Sequence, residues 1–578
     1  MSPPTIDKFL QEIIKTVLAK DGVRLQQNLV LEPPLPPLYN QIMGELKQFY
    51  TASSQDALEA KCKSFIPEQD EEEGGGSRLP FIVFMVKYFS FLRDLNVDNL
   101  VETHDMLKAL LNQCVLALSS SMGLVVLPTV ISLSRTLARL AIGLDKRPDL
   151  IRNLNRRESN VGGAEDSSEK VTLVESSANT IREGFKKCLS ERSGNASGLD
   201  TNGRPEGRRI GIYLTANICL KLFFHCRKLR SAEQIFGNIY QQSPPLALFP
   251  ASQRVTFLYY LGRYLFANNH FFRAQLALQA AYDQCHIQAI SQRRLILIYL
   301  ITSNIVLGRF PSTKLLQRPE AKGLAEKFQP LCRSIAKGDL ASFRRYLDIE
   351  GDSSQWFLDK RILLQLSNRC EILVWRSLAR RTFLLSGTHG DAANKKAPTL
   401  ALQDVLELAV FLEKEALNLI DNETQSNGVV NGIKPRTHTN HIFMLPREPS
   451  PKVQSTGAAD NLPDGYTDPD LIDAVDPTPP LLSSMETVES VISSLVEQDF
   501  LHGFISHSSH RFAITGAKNA SPVRVGFPPI WDIIHARADG EVPGWVREEK
   551  KTTASGGRFG PGMVVNLSGA RPVGSGPS

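Results

Sequence analysis

The sequence predicts an all-α protein in which a tetratricopeptide-like stack of helical hairpins is followed by a C-terminal winged helix. Apolar residues recur at three- to four-residue spacing between 208 and 420, with only short breaks, which is the pattern of packed amphipathic helices. A compact apolar stripe at 485–500 then leads directly into two alternating segments around a polar turn, which predicts a helix and a β-hairpin. A length of 578 residues, 42% of them hydrophobic, supplies ample material for large cores and excludes a small disulfide scaffold or a collagen.

The first 152 residues are interpreted as an N-terminal helical region. Its longest uncharged run, 109–134, is long enough to span a bilayer, but it contains a serine triplet, Gly123 and Pro128. We therefore expect two buried helices broken between 123 and 128, and no membrane insertion. Residues 153–207 are a predicted linker, polar and disordered except for one helix at 171–192.

Residues 208–356 form the predicted helical-repeat part. The segments 254–268 and 271–285 read as a hairpin with Asn268-Asn269-His270 at the turn. Four small side chains in its second helix would let the two helices approach closely: Ala274, Ala277, Ala280 and Ala281. The pattern of helical hairpins resembles that of tetratricopeptide repeats, without a strict 34-residue period. Strand-like runs are absent from the sequence between 208 and 420.

Residues 357–531 have the element order of a winged helix. The predicted elements are helices at 357–386, 399–420 and 485–500, then a hairpin formed by 503–506 and 511–515. A long acidic stretch rich in Pro, Ser and Asn, 421–483, would interrupt the domain as a disordered insertion. Residues 532–578 are expected to be a flexible tail, because the final part is rich in Gly and Pro.

Helical hairpins that run into a winged helix are the PCI architecture, and several short runs narrow the resemblance to one PCI subfamily. These runs are QRVTFLYYLGR (253–263), Cys285-His286, RLILIYL (294–300), LGRFP (307–311), GFISH (503–507) and Phe527-Pro528-Pro529. The subfamily includes the Thp-type subunit of the TREX-two mRNA-export complex, the animal PCI-domain-containing protein two and the fungal signalosome subunit-twelve homologues. The resemblance covers roughly 171–531, with 421–483 as an insertion.

This resemblance implies a non-catalytic scaffold subunit of a nuclear, pore-associated mRNA-export complex. It implies pairing with a Sac/GANP-type PCI scaffold subunit, clasping by a small acidic Sem/DSS-type protein, and binding of RNA or DNA without sequence specificity. The alternative is a protein-only scaffold associated with the signalosome or resembling a proteasome-lid subunit. The motifs do not separate the two branches of the subfamily.

The formal charge of +6 conceals a strong asymmetry along the chain. Residues 204–396 carry 29 Lys and Arg against 12 Asp and Glu, whereas residues 397–499 carry 5 against 17. A basic middle of this size indicates an anionic partner, which could be nucleic acid, an acidic protein or the chain's own acidic segment.

The third helix of the predicted winged helix is acidic, and this argues against reading of base sequence. It carries Glu486, Glu489 and Glu497 but no Lys or Arg, so phosphate would repel it from the major groove. We instead predict phosphate contact by the wing and by the basic face of the first helix. The candidate residues are Arg369, Arg376, Arg380, Arg381, Lys395, Lys396, Arg511, Lys518 and Arg524. The competing interpretation is a solvated face, or pairing with the acidic insertion.

A second group of basic residues begins the helical-repeat part. An acidic peptide lying across the stack would be steered towards it. The candidate residues for binding an acidic partner are Arg204, Arg208, Arg209, Lys221, Arg227, Lys228 and Arg230. The competing interpretation is ordinary surface charge.

No pattern in the sequence indicates catalysis, a metal or a cofactor. The eight cysteines are scattered, with no CxxC, and are interpreted as buried, reduced thiols. His502, His507 and His510 have no cysteine nearby to complete a zinc site. HExxH, GxSxG and dinucleotide-binding patterns are absent from the sequence.

Overall fold

The fold of this chain is known from a computed structural model. The model describes residues 4–32, 34–66, 78–96, 98–120, 122–150, 172–191, 198–201, 203–390, 396–416, 484–517, 520–538 and 540–546. These residues are mostly helical, with one small sheet, which confirms the predicted fold class. The insertion at 421–483, residues 153–170 and the chain beyond 546 lie outside the described residues, so their disorder stays a prediction.

The N-terminal region is built from helices that share one buried core. They are Pro4–Leu18, Gly22–Asn28, Pro37–Phe49, Gln55–Phe65, Leu79–Asp94, Leu100–Ala117 and Gly123–Asp145. The uncharged run 109–134 is divided between the last two helices, with the break at 118–122, slightly earlier than expected. The helix Gly123–Asp145 is long and apolar enough to cross a membrane, and 61% of its most apolar stretch is buried inside the protein, as in many core helices.

The helix predicted at 171–192 spans Leu173–Leu189 and is part of the core rather than an isolated element of a linker. Its hydroxyl cap Thr172 accepts a hydrogen bond from the backbone N–H of Glu175, which fixes where the helix begins. Ile181 and Phe185 on its apolar stripe are fully buried. This helix packs against both the N-terminal region and the helix that begins at Ile212, so it joins the two parts of the chain.

The helical-repeat part contains tight hairpins. Its helices are Ile212–His225, Leu229–Gln242, Ala251–Ala267, Phe271–Gln284, Ile290–Val306, Thr313–Leu316, Leu324–Lys337 and Leu340–Tyr346. The predicted hairpin is present: a Cβ atom at Gly262 would lie 2.5 Å from Leu278 Cγ, so the two helix backbones need glycine there to approach this closely. Ala274, Ala277 and Ala281 are fully buried at the same contact.

The C-terminal part is a winged helix with a strand that the sequence pattern did not predict. Its elements are Gln355–Asp359, Leu363–Ser386, β1 (Thr399–Ala401), Leu402–Ala416, Met485–Glu497, β2 (Gly503–Ser506) and β3 (Arg511–Ile514). β1 pairs antiparallel with β3, and the strand order is β1-β3-β2. The expectation that 208–420 lacks strands is therefore wrong. Thr399–Ala401 is too short to show a strand pattern, and only pairing with β3, far along the chain, makes it one.

The chain after the hairpin packs back onto the repeat helices for longer than expected. The helices Pro522–Gly526 and Ile530–Arg537 follow β3. Beyond them, Val542 is 1% exposed, and the hydroxyl of Tyr240 donates a 2.6 Å hydrogen bond to Glu541. The prediction of a flexible tail from 532 is therefore wrong as far as 546.

Candidate nucleic-acid interface

The long helix Leu363–Ser386 carries four of the predicted phosphate-binding arginines, and Arg376 lies on its inward face. Arg376 is 9% exposed. Its Nε donates to the carbonyl oxygen of Phe500 at 3.3 Å, and its Nη2 donates to those of Phe527 and Pro528 at 3.0 and 2.5 Å. Burial, and then the nearby charge of Arg380, lower the pKa of Arg376 to about 10. In this conformation the guanidinium of Arg376 is bound to backbone carbonyl oxygens and is not exposed, so its predicted contact with phosphate stays a prediction that would need a different conformation.

The other three arginines of this helix are nearer the surface. Arg369 and Arg380 are exposed. Arg381 is half-buried, and its Nη1 donates to the carbonyl oxygen of Lys337 at 3.3 Å. Arg380 therefore retains the exposure that phosphate contact needs, while Arg381 also ties the helix to the end of Leu324–Lys337.

The basic residues of the sheet lie at both of its ends. Arg511 is exposed and begins β3, opposite Ser506 of β2 and Ala401 of β1. Lys396 is also exposed and precedes β1. Since β1 and β3 are antiparallel, Lys396 lies beyond the end of β3 that is opposite Arg511.

The remaining candidates of this set follow the hairpin or precede β1. Arg524 is exposed on the short helix Pro522–Gly526, which contacts the long helix. Lys395 and Lys518 lie outside the described residues. The exposed cations Arg369, Arg380, Lys396, Arg511 and Arg524, together with the half-buried Arg381, are named the winged-helix basic surface below.

The acidic third helix is fastened to the wing by its central carboxylate. Glu489 accepts hydrogen bonds from the ring nitrogens of His507 and His510, the latter at 3.3 Å. The hydrogen bond from His507 is the main reason that the pKa of Glu489 lies below its usual value. His510 adopts a left-handed backbone with φ of 47°, which turns the chain sharply into β3. The wing is thus held against the third helix through Glu489.

Two members of the second basic set are structural. Arg208 binds Glu191 through two hydrogen bonds of 2.5 and 2.8 Å and donates to the carbonyl oxygen of Leu118 at 2.7 Å. Arg209 donates to the backbone oxygen of Glu191 at 2.7 Å. In this conformation the guanidinium of Arg208 binds Glu191, whose side chain is only 5% exposed, so its predicted contact with an acidic partner stays a prediction that would require this pair to open.

The other members divide between open surface and a groove. Arg204 and Arg230 are exposed, and the ammonium group of Lys228 lies 3.8 Å from the carboxylate of Glu175. Lys221 and Arg227 line an open groove of about 610 Å³. The residues of this set therefore lie in three different environments: internal contacts, exposed surface and the groove.

The groove also contains cations that sequence reasoning missed: Arg263, Lys360 and Arg361. Its remaining lining residues are Asp145, Phe224, His225, Cys226, Tyr260, Tyr299 and Asp359. These side chains come from helices and breaks that are distant in sequence, and no local spacing connects them. Of the three additional cations, only Arg263 lies in one of the sequence runs that carry the family resemblance.

The described residues offer no group of three or more His, Cys, Asp and Glu side chains that could hold a metal. The eight cysteines are free thiols, and six of them are buried. Burial raises the pKa of the Cys62 and Cys188 thiols to about 12, so both are neutral and unreactive near pH 7. These thiols behave as small core hydrophobes.

A helical-repeat stack that ends in a winged helix defines a scaffold class, and comparison with known proteins identifies the family. The chain is 25% identical over 382 residues to a PCI domain-containing protein of Schizosaccharomyces pombe. The aligned region covers 66% of this chain and 79% of that protein. It is 32% identical over 224 residues to a protein named CSN12 homolog of Neurospora crassa, covering 38% of this chain and 46% of the relative. It is 27% identical over 218 residues to PCI domain-containing protein 2 of Xenopus laevis, covering 38% and 50%.

These homologues support the assignment of the chain as a PCI-domain protein of the type shared by PCI domain-containing protein 2 and the CSN12 homologues. No family model matches it. The match spans about half or less of the Neurospora and Xenopus relatives, although it spans most of the Schizosaccharomyces pombe protein. The family thus fixes the scaffold class, as the sequence motifs predicted.

Proposed function

We propose that this chain is a non-catalytic scaffold subunit of a nuclear mRNA-export complex and binds RNA or DNA backbones through its winged-helix basic surface. The observation that carries the proposal is the charge pattern of the winged helix. Cations such as Arg380 and Arg511 are exposed around it, while Glu489 of the acidic third helix is hydrogen-bonded to the wing. That pattern suits contact with phosphate, which positions a protein without reading sequence.

The proposed partners follow from the same assignment. They are a Sac/GANP-type PCI scaffold subunit, a small acidic Sem/DSS-type protein, and RNA or DNA bound without sequence specificity. The proposed location is the nucleus, at the nuclear pore. Relatives named PCI domain-containing protein 2 and relatives named CSN12 homolog both match the chain, so their names do not favour either branch of the family.

A second candidate function is a protein-only scaffold of the signalosome-associated or lid-like kind. Two observations favour it. Arg208 and Arg376 are bound internally and are not offered to a polyanion. Large apolar side chains are exposed on the winged helix, with Phe504, Phe411 and Leu385 at 55%, 53% and 69%, and such side chains suit contact with another protein.

A salt titration of nucleic-acid binding separates the two functions. Binding of fluorescent poly-uridine and of a random duplex is measured by anisotropy, with the purified chain and with the co-expressed Sac/GANP-type subunit. In a triple variant, Arg380, Arg511 and Arg524 are each changed to Glu. Each lost phosphate contact lowers the log–log salt slope by about 0.7 for a single strand. We expect the slope to fall by about 2 and the affinity at physiological salt to fall at least tenfold.

The matched control reverses three exposed cations that are not members of this surface: Lys314, Arg333 and Arg345, each changed to Glu. Both triple variants change the net charge equally, so a difference in nucleic-acid binding between them depends on where the reversed charges lie. Equal losses in the two variants would contradict the assignment of the surface. Absence of steep binding in every form, with assembly intact, would favour the protein-only scaffold.

A further inference from the structure

The groove described above concentrates positive charge that the protein does not neutralise. Its five cations, named the basic groove below, are Lys221, Arg227, Arg263, Lys360 and Arg361. None of them forms an ion pair with any residue that the structure describes. Two carboxylates also line the groove: that of Asp145 lies 2.8 Å from Nε2 of His225, another lining residue, and that of Asp359 accepts a 3.3 Å hydrogen bond from the side-chain amide of Gln355.

Arg263 is held in this groove by aromatic rings rather than by a carboxylate. Its guanidinium carbon lies 4.9 Å from the ring centroids of both Phe224 and Tyr299 and 5.5 Å from that of Tyr259. Ring faces attract a cation without cancelling its charge for a third group. The charge of Arg263 is therefore fixed in position and remains available to an anion.

Arg227 and Arg361 reach the groove from strained backbone. Their φ angles are 63° and 57°, in the left-handed region that non-glycine residues seldom adopt. Such strain clusters at ligand sites. Burial, and then the charges of Arg227 and Arg263, lower the pKa of Arg361, so both neighbouring cations repel the charge of Arg361. A bound anion would relieve that repulsion.

The walls of the groove indicate which anion fits. Phe224 and Tyr299 are only 8% and 7% exposed, and their faces are taken by Arg263, so they offer no open ring on which a nucleobase could stack. The volume of about 610 Å³ lies within the range of small-molecule sites, roughly 300–1,000 Å³. The five cations and the two carboxylates of the groove leave a formal charge of +3. One phosphate group carries at most about two negative charges, so this charge suits more than one phosphate.

We propose that the basic groove binds a small molecule that carries two or more phosphate groups and no stacked base. The groove joins the end of Gly123–Asp145, the repeat helices and the break before Leu363–Ser386, so the ligand would brace the winged helix against the stack. None of the five cations belongs to the winged-helix basic surface, but Lys221 and Arg227 are also candidates for binding the acidic partner. The competition with poly-glutamate below distinguishes the two ligands.

The test uses the full chain and inositol hexakisphosphate as the probe, with titration calorimetry at physiological salt. Arg227→Gly and Arg361→Gly each remove one charge and place glycine where φ is positive, so neither adds backbone strain. We expect each to weaken binding at least tenfold. Lys20→Gly is the matched control, since Lys20 is an exposed cation outside the groove with φ of 53°. It should leave the Kd unchanged.

Thermal unfolding distinguishes a variant that has lost binding from one that has lost its fold. The probe should raise the Tm of the unmodified chain and of Lys20→Gly, but not that of the groove variants. Lys360→Gln provides a second charge removal if a glycine variant fails to fold. No binding by the unmodified chain, or equal losses in Lys20→Gly and Arg361→Gly, would overturn the proposal. Displacement of the probe by poly-glutamate or poly-uridine at equal charge concentration would also overturn it, because the groove would then serve a polymer.

Discussion

Arg376 and Phe527 lie 151 positions apart in the chain, and Nη2 of Arg376 donates a 3.0 Å hydrogen bond to the carbonyl oxygen of Phe527. The same guanidinium also binds the carbonyl oxygens of Phe500 and Pro528. One buried side chain therefore connects the first helix of the winged helix to both segments that flank its hairpin. The ring of Phe383 packs 5.6 Å from that of Phe527 at the same junction.

Removal of the Arg376 guanidinium should destabilise the winged helix. We expect Arg376→Met to lower the free energy of unfolding by about 2–4 kcal/mol, because three buried carbonyl oxygens lose their donor. Urea unfolding followed by circular dichroism measures this change. Arg369→Met is the control, since Arg369 is exposed on the same helix and should change stability by less than about 0.5 kcal/mol. Similar losses in both variants would disprove the structural role of Arg376.

The pair formed by Arg208 and Glu191 should also contribute to stability. The carboxylate of Glu191 is 5% exposed and the side chain of Arg208 is 17% exposed, so removal of the arginine leaves a buried charge without its partner. We expect Arg208→Ala to cost about 3 kcal/mol. Arg204→Ala, at an exposed position nearby, should cost less than about 0.5 kcal/mol. Chemical denaturation compares the two, and equal costs would contradict the assignment.

His104 should make stability depend on pH. It is 1% exposed, with Nε2 2.8 Å from the hydroxyl oxygen of Ser177, and burial lowers its pKa below the ordinary 6.5. The unfolded chain therefore binds a proton at a higher pH than the folded chain. Stability should be fully present above pH 6.5 and fall as the pH drops below it, by up to about 1.4 kcal/mol per pH unit. Thermal melts of the protein and of His104→Gln from pH 5 to 8 measure this slope, and an identical slope in both would refute it.

Gly338 should not tolerate a side chain. It ends Leu324–Lys337 with φ of 75°, and a Cβ atom there would lie 2.5 Å from the backbone nitrogen of Leu378 on the long helix. We expect Gly338→Ala to cost about 2 kcal/mol or more, from left-handed strain and from displacement of the long helix. Gly203→Ala is the control, since φ there is 71° but no atom lies within 4 Å of the added Cβ. Equal losses of stability in the two variants would show that the close approach of Gly338 to Leu378 does not contribute to the cost.

Periodic and local features of the fold were predictable from the sequence. The hairpin around residues 268–270 and the helix Leu173–Leu189 have apolar stripes of three- to four-residue spacing, and their boundaries lie within three residues of the predicted ones. The hairpin strands Gly503–Ser506 and Arg511–Ile514 alternate around a polar turn and were found for the same reason. Such elements can be predicted from the sequence because their own residues determine which face is buried.

The candidate sites were predictable only in part. Charge counting found the basic character of residues 204–396, but it could not separate Arg380, which is exposed, from Arg376 one turn earlier, which is buried. It also missed Arg361, because the cations that accompany it come from other helices. The partners of a long flexible side chain depend on which parts of the folded chain pack around it, and the local sequence does not specify them.

The sequence by itself determined the helical-repeat class, the winged helix, the family and the basic character of the middle of the chain. Each of these follows from local periodicity, short motifs or composition. The tertiary structure alone decided that β1 exists, that Arg208 and Arg376 serve the core, and that five cations converge on one groove. The physical reason is range: hydrogen bonds, ion pairs and ring contacts act over a few ångströms, between residues that only the folded chain brings together.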